Sequence, residues 1–374
     1  MNNMIIHNPH SFDMLFTPVS YRLAKKKPHL KYQHIPKIIS RPNGVIYCVV
    51  DYSESSLITS SILIKLPLLI RILLIKFELF IWKYINHEYV FKFYDHRNVP
   101  LDSVLLSFSY KAYNFVTNEK KHVFTKCGKL LSHLSHYMIN TSVKSTNMSM
   151  YKEKILLLAD NDFSDNEYFS KFFSWYNNKI VVIPFIVQER FKTLNKKRKN
   201  KILLSGTVHD LSIEKPVSFY SDFIKHFNSF SYHKLRSSLK VQNLDLIDNK
   251  VSDFREKNGN TLQKEYFKID LVDQLNSYKY VCYDSELSGA LALSSLEAIA
   301  CGCIPFMSKD SIQGLNLVGK FNLIEFDGSV DGFIEEVSIL PNNIIYSEST
   351  CNDVYEHLFN LTSTNLKIAY EYKF

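Results

Sequence analysis

Short apolar runs separated by polar segments set the pattern of the first half of the chain. Each run is rich in β-branched and aromatic residues, which predicts a strand. The runs are Val45–Asp51, Tyr89–Tyr94, Val104–Phe108, Ile155–Ala159 and Ile180–Ile183. Stretches with helical character lie between them, and strands that alternate with helices predict parallel α/β layers rather than an all-α or all-β fold.

The second half repeats this alternation. A strand at Ile202–Leu204 runs into a loop at residues 205–207, and a short helix at Leu271–Tyr278 precedes a strand at Tyr280–Tyr283. The pattern further predicts a strand at Asn322–Phe326, helices at Phe219–Phe227, Phe333–Val337 and Val354–Tyr372, and a polar surface excursion over 243–265.

The basic run Lys196–Lys201 separates the two halves. It predicts a solvated linker, because no aromatic or glycine pattern of an RNA-binding module accompanies it. We therefore expect a first domain over residues 1–190, a linker over 191–201, a second domain over 202–350 and a C-terminal helix over 351–374.

Residues 281–306 form the most informative unit: a strand, a loop, a short helix and a second strand entered through Pro305. Ser294 is suited to cap the first turn of the helix, Glu297 follows it as in a capping box, and Gly302 is suited to the left-handed conformation that ends a helix. Unpaired amides at the start of such a helix bind anions, and a nucleotide phosphate is the ligand we expect.

The run from Ser295 to Pro305 resembles the E-A-x-A-x-G-x-x-P signature in the donor half of GT-B glycosyltransferases. The resemblance implies an α/β fold of two Rossmann-like domains whose parallel sheets face across a cleft, with a last helix that crosses back onto the first domain. It implies that the helix start at Ser294 and Ser295 faces the donor diphosphate and that Glu297 binds the ribose hydroxyls. It also implies that no metal or cofactor is required besides the nucleotide-sugar substrate.

One position departs from that family. Many retaining members carry a glutamate eight residues before the ribose glutamate; here that place is Gly289, and Glu286 lies three residues further back. Either Glu286 reaches the sugar from a longer loop or the sugar is held differently, so the resemblance does not imply retention of configuration. The alternative interpretation of Glu297 is a capping-box residue on a surface helix.

Further contacts to the donor diphosphate are expected from Gly206 and Thr207, in the loop after the strand at 202–204, and from Arg236. Arginine pairs with phosphate bidentately, although a solvated helix face is the alternative for this side chain.

A base for the acceptor hydroxyl is expected at the carboxyl end of a first-domain strand, where open parallel sheets bind their ligands. Asp51, Asp95 with His96, and Asp160 stand at such positions, and we rank Asp160 and Asp95 first. The alternative for each is a loop carboxylate that caps the following helix.

The segment Asp160-Asn161-Asp162 also resembles the metal-binding D-x-D motif of GT-A glycosyltransferases. There two carboxylates hold a divalent ion against the donor diphosphate. A metal-dependent transferase that uses Asp160 and Asp162 is therefore an alternative.

The net charge of the chain restricts the kinds of binding partner that we expect. The 374-residue chain has a formal net charge of +8, which favours anionic partners such as sugar nucleotides, acidic glycans or lipid headgroups.

The cysteines and the first residues indicate the cellular compartment. The six cysteines show no C-x-x-C pair and no zinc spacing, so we expect buried, reduced thiols in a cytoplasmic protein. The first residues lack a basic start followed by an apolar stretch, which argues against a secretory signal.

Leu57–Ile85 is the one membrane candidate, but charged residues interrupt it and are costly in a spanning helix. Lys65, Lys76 and Lys83 fall on one helical face and leave a broad apolar face. We favour a core-facing amphipathic helix; the alternative is a helix that touches a lipid monolayer.

Together these patterns predict a glycosyltransferase that moves a sugar from a nucleotide-sugar donor to a glycan or lipid-linked acceptor. The setting we expect is bacterial surface-polysaccharide assembly, such as capsule or lipopolysaccharide, with peripheral contact at the inner membrane and no nucleic-acid partner. The alternatives are a catalytically silent nucleotide- or glycan-binding protein of the same fold, and a basic scaffold at an RNA or membrane surface.

Overall fold

The structure is a computed structural model of the full chain. It describes residues 3–7, 33–39, 45–49, 67–85, 90–93, 104–106, 129–131, 156–159, 162, 164–165, 180–208, 247–253, 270–283, 291–340 and 351–371.

The first half of the chain contains a seven-stranded sheet in the order β3-β2-β1-β4-β5-β6-β7. Its strands are β1 (Asn3–His7), β2 (Val45–Val49), β3 (Val90–Phe93), β4 (Val104–Leu106), β5 (Lys129–Leu131), β6 (Leu156–Ala159) and β7 (Ile180–Ile183). Neighbouring strands pair in parallel throughout this order. The predicted apolar strands are present, and β1 and β5 join them.

The second half contains a five-stranded sheet in the order β12-β11-β10-β8-β9, again with parallel pairings. Its strands are β8 (Lys199–Val208), β9 (Ile247–Asp253), β10 (Tyr278–Cys282), β11 (Ile304–Ser308) and β12 (Ile324–Phe326). The predicted surface excursion at 243–265 is wrong where β9 lies. An edge strand tolerates polar residues, so its composition resembles that of a loop.

Seven helices lie in the part of the chain that the structure describes: α1 (His34–Ile39), α2 (Leu68–Ile85), α3 (Leu271–Asn276), α4 (Leu293–Ala300), α5 (Lys309–Ile312), α6 (Val330–Ser338) and α7 (Cys351–Glu371). The predicted helix at Phe219–Phe227 lies outside the described residues. Within them, none of the helices combines the length and the apolar character that crossing a membrane requires.

The chain divides into two compact units. The first consists of Met1–Ala159, Trp175–Ile186 and Phe359–Phe374, and the second of Asp160–Ser174 and Val187–Leu358. Each sheet lies within one unit. The predicted α/β class with two parallel, Rossmann-like sheets is therefore confirmed.

The core of the second unit lies between its sheet and helix α6. Ring contacts join Phe306 of β11 to Phe333 of α6 at 5.1 Å between centroids, and Phe333 to Phe326 of β12 at 5.9 Å. Ile202 and Tyr280 belong to the same buried cluster. This packing fixes β10 and β11, the two strands that flank the unit at 281–306.

Candidate functional site

The order of the second sheet indicates where a ligand would bind. Strands β8 and β10 are neighbours, and the chain leaves them toward opposite edges of the sheet. In open parallel sheets such a switch point opens a crevice at the carboxyl ends of the strands. Helix α4 follows β10, so its N-terminus belongs to this carboxyl edge.

The loop predicted at Ser205-Gly206-Thr207 is instead part of β8. Gly206 pairs with Val251 and Thr207 with Ser252, because β9 lines up with β8 from Ile202 to Val208. Gly206 and Thr207 therefore sit at the carboxyl end of β8, one strand from β10, as strand residues and not as a phosphate loop.

Helix α4 begins at Leu293, one residue before the predicted cap at Ser294. The N-cap is Ala292, and no side chain caps it by a hydrogen bond. Ser294 lies inside the first turn, so the prediction that it is the cap was wrong. Within the described residues, no side chain caps the first amides of the helix by a hydrogen bond. These amides are therefore available to bind an anion.

Glu297 is not a capping-box residue either. In a capping box that starts at Ala292, the N3 position is Ser295, two residues before Glu297. The helix is also not at the surface. The side chain is only 7% exposed and Ser295 only 1%, where α4 packs on β10 and β11. Glu297 is thus an acidic side chain buried in the helix that starts at the carboxyl edge of the sheet, and this position makes it a functional candidate.

The C-terminal end of α4 is closed by glycine and by arginine. Gly302 has φ +73°, and a Cβ there would lie 3.0 Å from Thr193 Oγ1 and 3.2 Å from Arg198 Nη2. The left-handed stop predicted for Gly302 is confirmed, and the close approach of Arg198 disfavours a larger residue.

Arg198 is the residue of this region that the sequence interpretation missed. It belongs to the run predicted as a solvated linker, but β8 already starts at Lys199, and Arg198 is partly buried. Its guanidinium donates to the carbonyl oxygens of Leu275 (3.3 Å), Tyr278 (3.2 Å) and Cys301, and to Asn276 Oδ1 (3.1 Å). One cation therefore holds together α3, β10 and the C-terminus of α4, where the helix dipole favours positive charge.

The buried cysteines of this unit fit the expectation of reduced thiols. Cys282, Cys301 and Cys303 are unbridged and buried. Burial, reinforced by Cys303, raises the pKa of Cys301 to about 12, and burial also raises the pKa of Cys303 to about 12. Both thiols are protonated at neutral pH and are poor nucleophiles.

The loop after α5 is fixed by His357 of α7. His357 Nε2–H donates to the carbonyl oxygen of Leu315 at 2.8 Å, and Lys320 Nζ donates to Nδ1 at 2.8 Å. Burial lowers the pKa of His357; the bond to Leu315 opposes this and Lys320 adds to it. The ring is therefore neutral when it holds both ends of the loop.

Asp162 of the D-x-D segment makes local contacts. Its Oδ1 accepts hydrogen bonds from the amide (3.1 Å) and the hydroxyl (2.6 Å) of Ser164. Its own amide donates to Gln313 O at 2.9 Å, and Gln313 Nε2 donates to Asp165 at 3.0 Å. Among the residues the structure describes, no three His, Cys, Asp or Glu side chains are grouped as metal ligands. Since Asp160 lies outside them, the metal-dependent alternative stays a prediction.

Most of the other predicted site residues also lie outside the described residues: Asp51, Asp95, His96, Glu286, Gly289 and Arg236. The order of the first sheet still separates two of them. Asp95 follows β3 at one edge, and Asp160 follows β6, five strand spacings away, which is about 24 Å at ~4.8 Å per strand. The two strand ends that precede these residues are therefore far apart in the sheet.

The switch point of the first sheet lies between β1 and β4. His7 is the last residue of β1, and the sequence interpretation did not consider it. The signal was missed because strand order, unlike strand existence, cannot be read from apolar runs.

No protein-family model and no curated protein matches the chain. Among solved structures, it is similar to sucrose-phosphate synthase from Thermosynechococcus elongatus, with 9% identity and TM-score 0.45 over 99% of this chain and 98% of that one. It is similar to Anabaena HepE in complex with UDP and glucose (10%, TM-score 0.43, 99% and 95%) and to a glycosyltransferase from Rickettsia africae ESF-5 (10%, TM-score 0.41, 99% and 99%). At this level of similarity we base function on the residues of the second unit.

Proposed function

We propose that the protein is a GT-B-type glycosyltransferase that moves a sugar from a nucleotide-sugar donor to a glycan or lipid-linked acceptor. The observation that carries the proposal is Glu297, a carboxylate only 7% exposed, in a helix whose uncapped N-terminus lies at the carboxyl edge of a parallel sheet. The E-A-x-A-x-G-x-x-P run supplies the resemblance, and the positive φ of Gly302 supports its structural part.

In this proposal the donor diphosphate binds at the first turn of α4. The amides of Leu293 and Ser294 and the dipole of the helix stabilise the charge that grows on the leaving nucleotide. Ser294 is half-buried and therefore accessible to a ligand, whereas Ser295 is buried and supports the turn. Glu297 accepts hydrogen bonds from the ribose hydroxyls.

The base is proposed to come from a loop after a strand of the first sheet. Asp160 and Asp95 with His96 remain the candidates, one or the other, and His7 at the β1–β4 switch point joins them. No metal or cofactor is required in this proposal. We place the reaction in the cytoplasm, at the inner membrane surface, in the assembly of a bacterial surface polysaccharide.

A thermal-shift panel of UDP-, GDP-, CMP- and dTDP-sugars tests the donor site, starting with UDP-glucose, with and without EDTA. At a hundredfold excess over Kd, one ligand stabilises the native state by about 2.7 kcal/mol. We expect one nucleotide class to raise the Tm of the wild type, independently of chelator. Glu297→Gln should weaken binding by roughly 10- to 100-fold, the loss of hydrogen bonds to a charged acceptor.

Glu335→Gln is the matched control, since Glu335 is exposed on α6 of the same unit. A shift that Glu297→Gln leaves unchanged would contradict the assigned role of Glu297. A shift that needs metal would favour the Asp160–Asp162 alternative. Donor binding without transfer or donor hydrolysis would favour the silent binding protein.

A further inference from the structure

Helix α2 exposes an apolar face. Its large exposed side chains are Leu69, Ile70, Leu73, Phe77, Phe80 and Tyr84, and we call them the apolar stripe. Leu73 is 59% exposed and Phe77 62%. None of the α2 side chains whose burial is described is buried. The side chains of the opposite face lie outside those described, so the favoured prediction of a core-facing helix stays a prediction.

The stripe is one contiguous surface. At about 100° per residue its six members fall within an arc of about 100° on the helix. The rings of Phe80 and Tyr84 are in edge contact, with centroids 5.0 Å apart. Single exposed apolar residues are ordinary, but a continuous apolar row along a helix marks a binding surface.

Positive charge borders the stripe on one side. Lys76 is exposed, and the helical register places it about 20° beyond Leu69, at the edge of the arc. Position 83 lies two turns further along the same edge and is also lysine. Positions 71 and 78, an arginine and a glutamate, fall on the opposite side of the helix, about 150° and 130° from the centre of the arc. The stripe therefore has a basic border, and the one acidic position of the helix lies far from it.

We propose that the apolar stripe of α2 binds the surface of a membrane that contains anionic lipid. Leucine and aromatic side chains enter the boundary between headgroups and acyl chains, and lysines beside them extend to lipid phosphates. A helix lying in the plane of the surface buries its whole row at once, which suits a stripe that runs from position 69 to position 84.

Charge distinguishes this occupant from a second copy of the chain. An antiparallel two-fold pairing of stripes would bring the lysine borders of two chains together, and any pairing would bring together chains that each carry a formal net charge of +8. Like charges at such an interface oppose association, whereas anionic headgroups neutralise them. The inference depends on α2 alone, not on glycosyl transfer.

Vesicle co-sedimentation of the full chain tests the proposal without any donor sugar, so its failure leaves the donor-site proposal untouched. The probes are vesicles of phosphatidylcholine, and of phosphatidylcholine with about a third phosphatidylglycerol, at low and high salt. We expect binding to the anionic vesicles that weakens with salt. The triple variant L73S/F77S/F80S should lose at least tenfold in partitioning, and Lys76→Glu should lose about fivefold or more, since each basic residue near an anionic surface contributes about a factor of five.

The matched control is V318S/I339S, which removes two equally exposed apolar side chains from the second unit. It should bind vesicles like the wild type. The single variant Phe77→Ser is tested as well, and the Tm of each variant is measured. A variant with an unchanged Tm that loses vesicle binding has lost binding and not folding. Absence of vesicle binding by the wild type, or equal binding by the triple variant, overturns the proposal. Dimerisation in light scattering that the triple variant abolishes, without vesicle binding, assigns the stripe to a second copy instead.

Discussion

The exposure of the side chains of helices α2 and α4 differs from what the composition of each helix predicts. Helix α2 has the sequence LLIRILLIKFELFIWKYI and exposes a row of its apolar side chains. Helix α4 has the sequence LSSLEAIA and buries a serine and a glutamate along with its apolar residues. Composition alone would have ranked α2 as the buried helix of the two.

This contrast shows that the packing partner decides burial. Helix α4 lies between β10 and β11 in the chain and packs on both strands, and its side chains after the first turn are buried. A carboxylate buried in a packed helix and a continuous apolar row exposed on another helix are both uncommon placements in globular proteins. Each is therefore the feature on which a functional proposal stands.

The same substitution in both helices is the strongest test of the contrast. Leu296 of α4 is 1% exposed, and Leu296→Ala should destabilise the protein by about 3 kcal/mol, the usual cost of a cavity. Leu73→Ala in α2 should change stability by less than about 0.5 kcal/mol, as for surface substitutions. Thermal and urea unfolding followed by circular dichroism measure both.

Similar losses in the two variants would remove the contrast. In particular, a large loss for Leu73→Ala would mean that the stripe is covered in the folded protein. The vesicle proposal would then lose its basis together with the difference between the helices.

The second test concerns what holds α4 in place. Arg198→Ala removes four hydrogen bonds donated to oxygen and one donated to Cys303 Sγ, and should cost about 2 to 3 kcal/mol. Arg198→Lys should recover only part of this, because an ammonium lacks the planar fork of donors. Lys197→Ala, an exposed neighbour in the same basic run, is the control and should be nearly neutral. Equal losses of stability in Lys197→Ala and Arg198→Ala would support the earlier interpretation of the basic run as a solvated linker.

The smallest expected effect separates backbone strain from crowding at the end of α4. Gly302 and Gly319 have similar positive φ angles, +73° and +75°, but a Cβ at Gly319 meets nothing within 4 Å. Gly319→Ala should therefore cost about 1 kcal/mol, and Gly302→Ala about 2 kcal/mol. The difference in Tm between the two variants measures the contact with Arg198 and Thr193. Equal Tm values for the two variants would show that the Arg198 side chain moves aside without a loss of stability.

Much of the fold was predictable because it depends on local sequence. Apolar β-branched runs predicted most of the strands, and turn chemistry predicted the left-handed end at Gly302. The strands β1, β5 and β9 were not predicted, the last because a polar edge strand has no apolar period. The start of α4 was misplaced by one residue, because Ser294 is a better cap by type than Ala292.

Local sequence was enough for the α/β class, the alternation of strands and helices, and the short unit at 281–306 with its resemblance to a donor site. These follow from periodicities and propensities that act within a few residues. Tertiary packing, by contrast, was needed to show that Glu297 is buried, that Arg198 is bound inward while Lys197 is exposed, and that the face of α2 is open. The same holds for the separation of the strands that Asp95 and Asp160 follow. Strand order and packing partners join residues distant in the chain, and no local pattern encodes them.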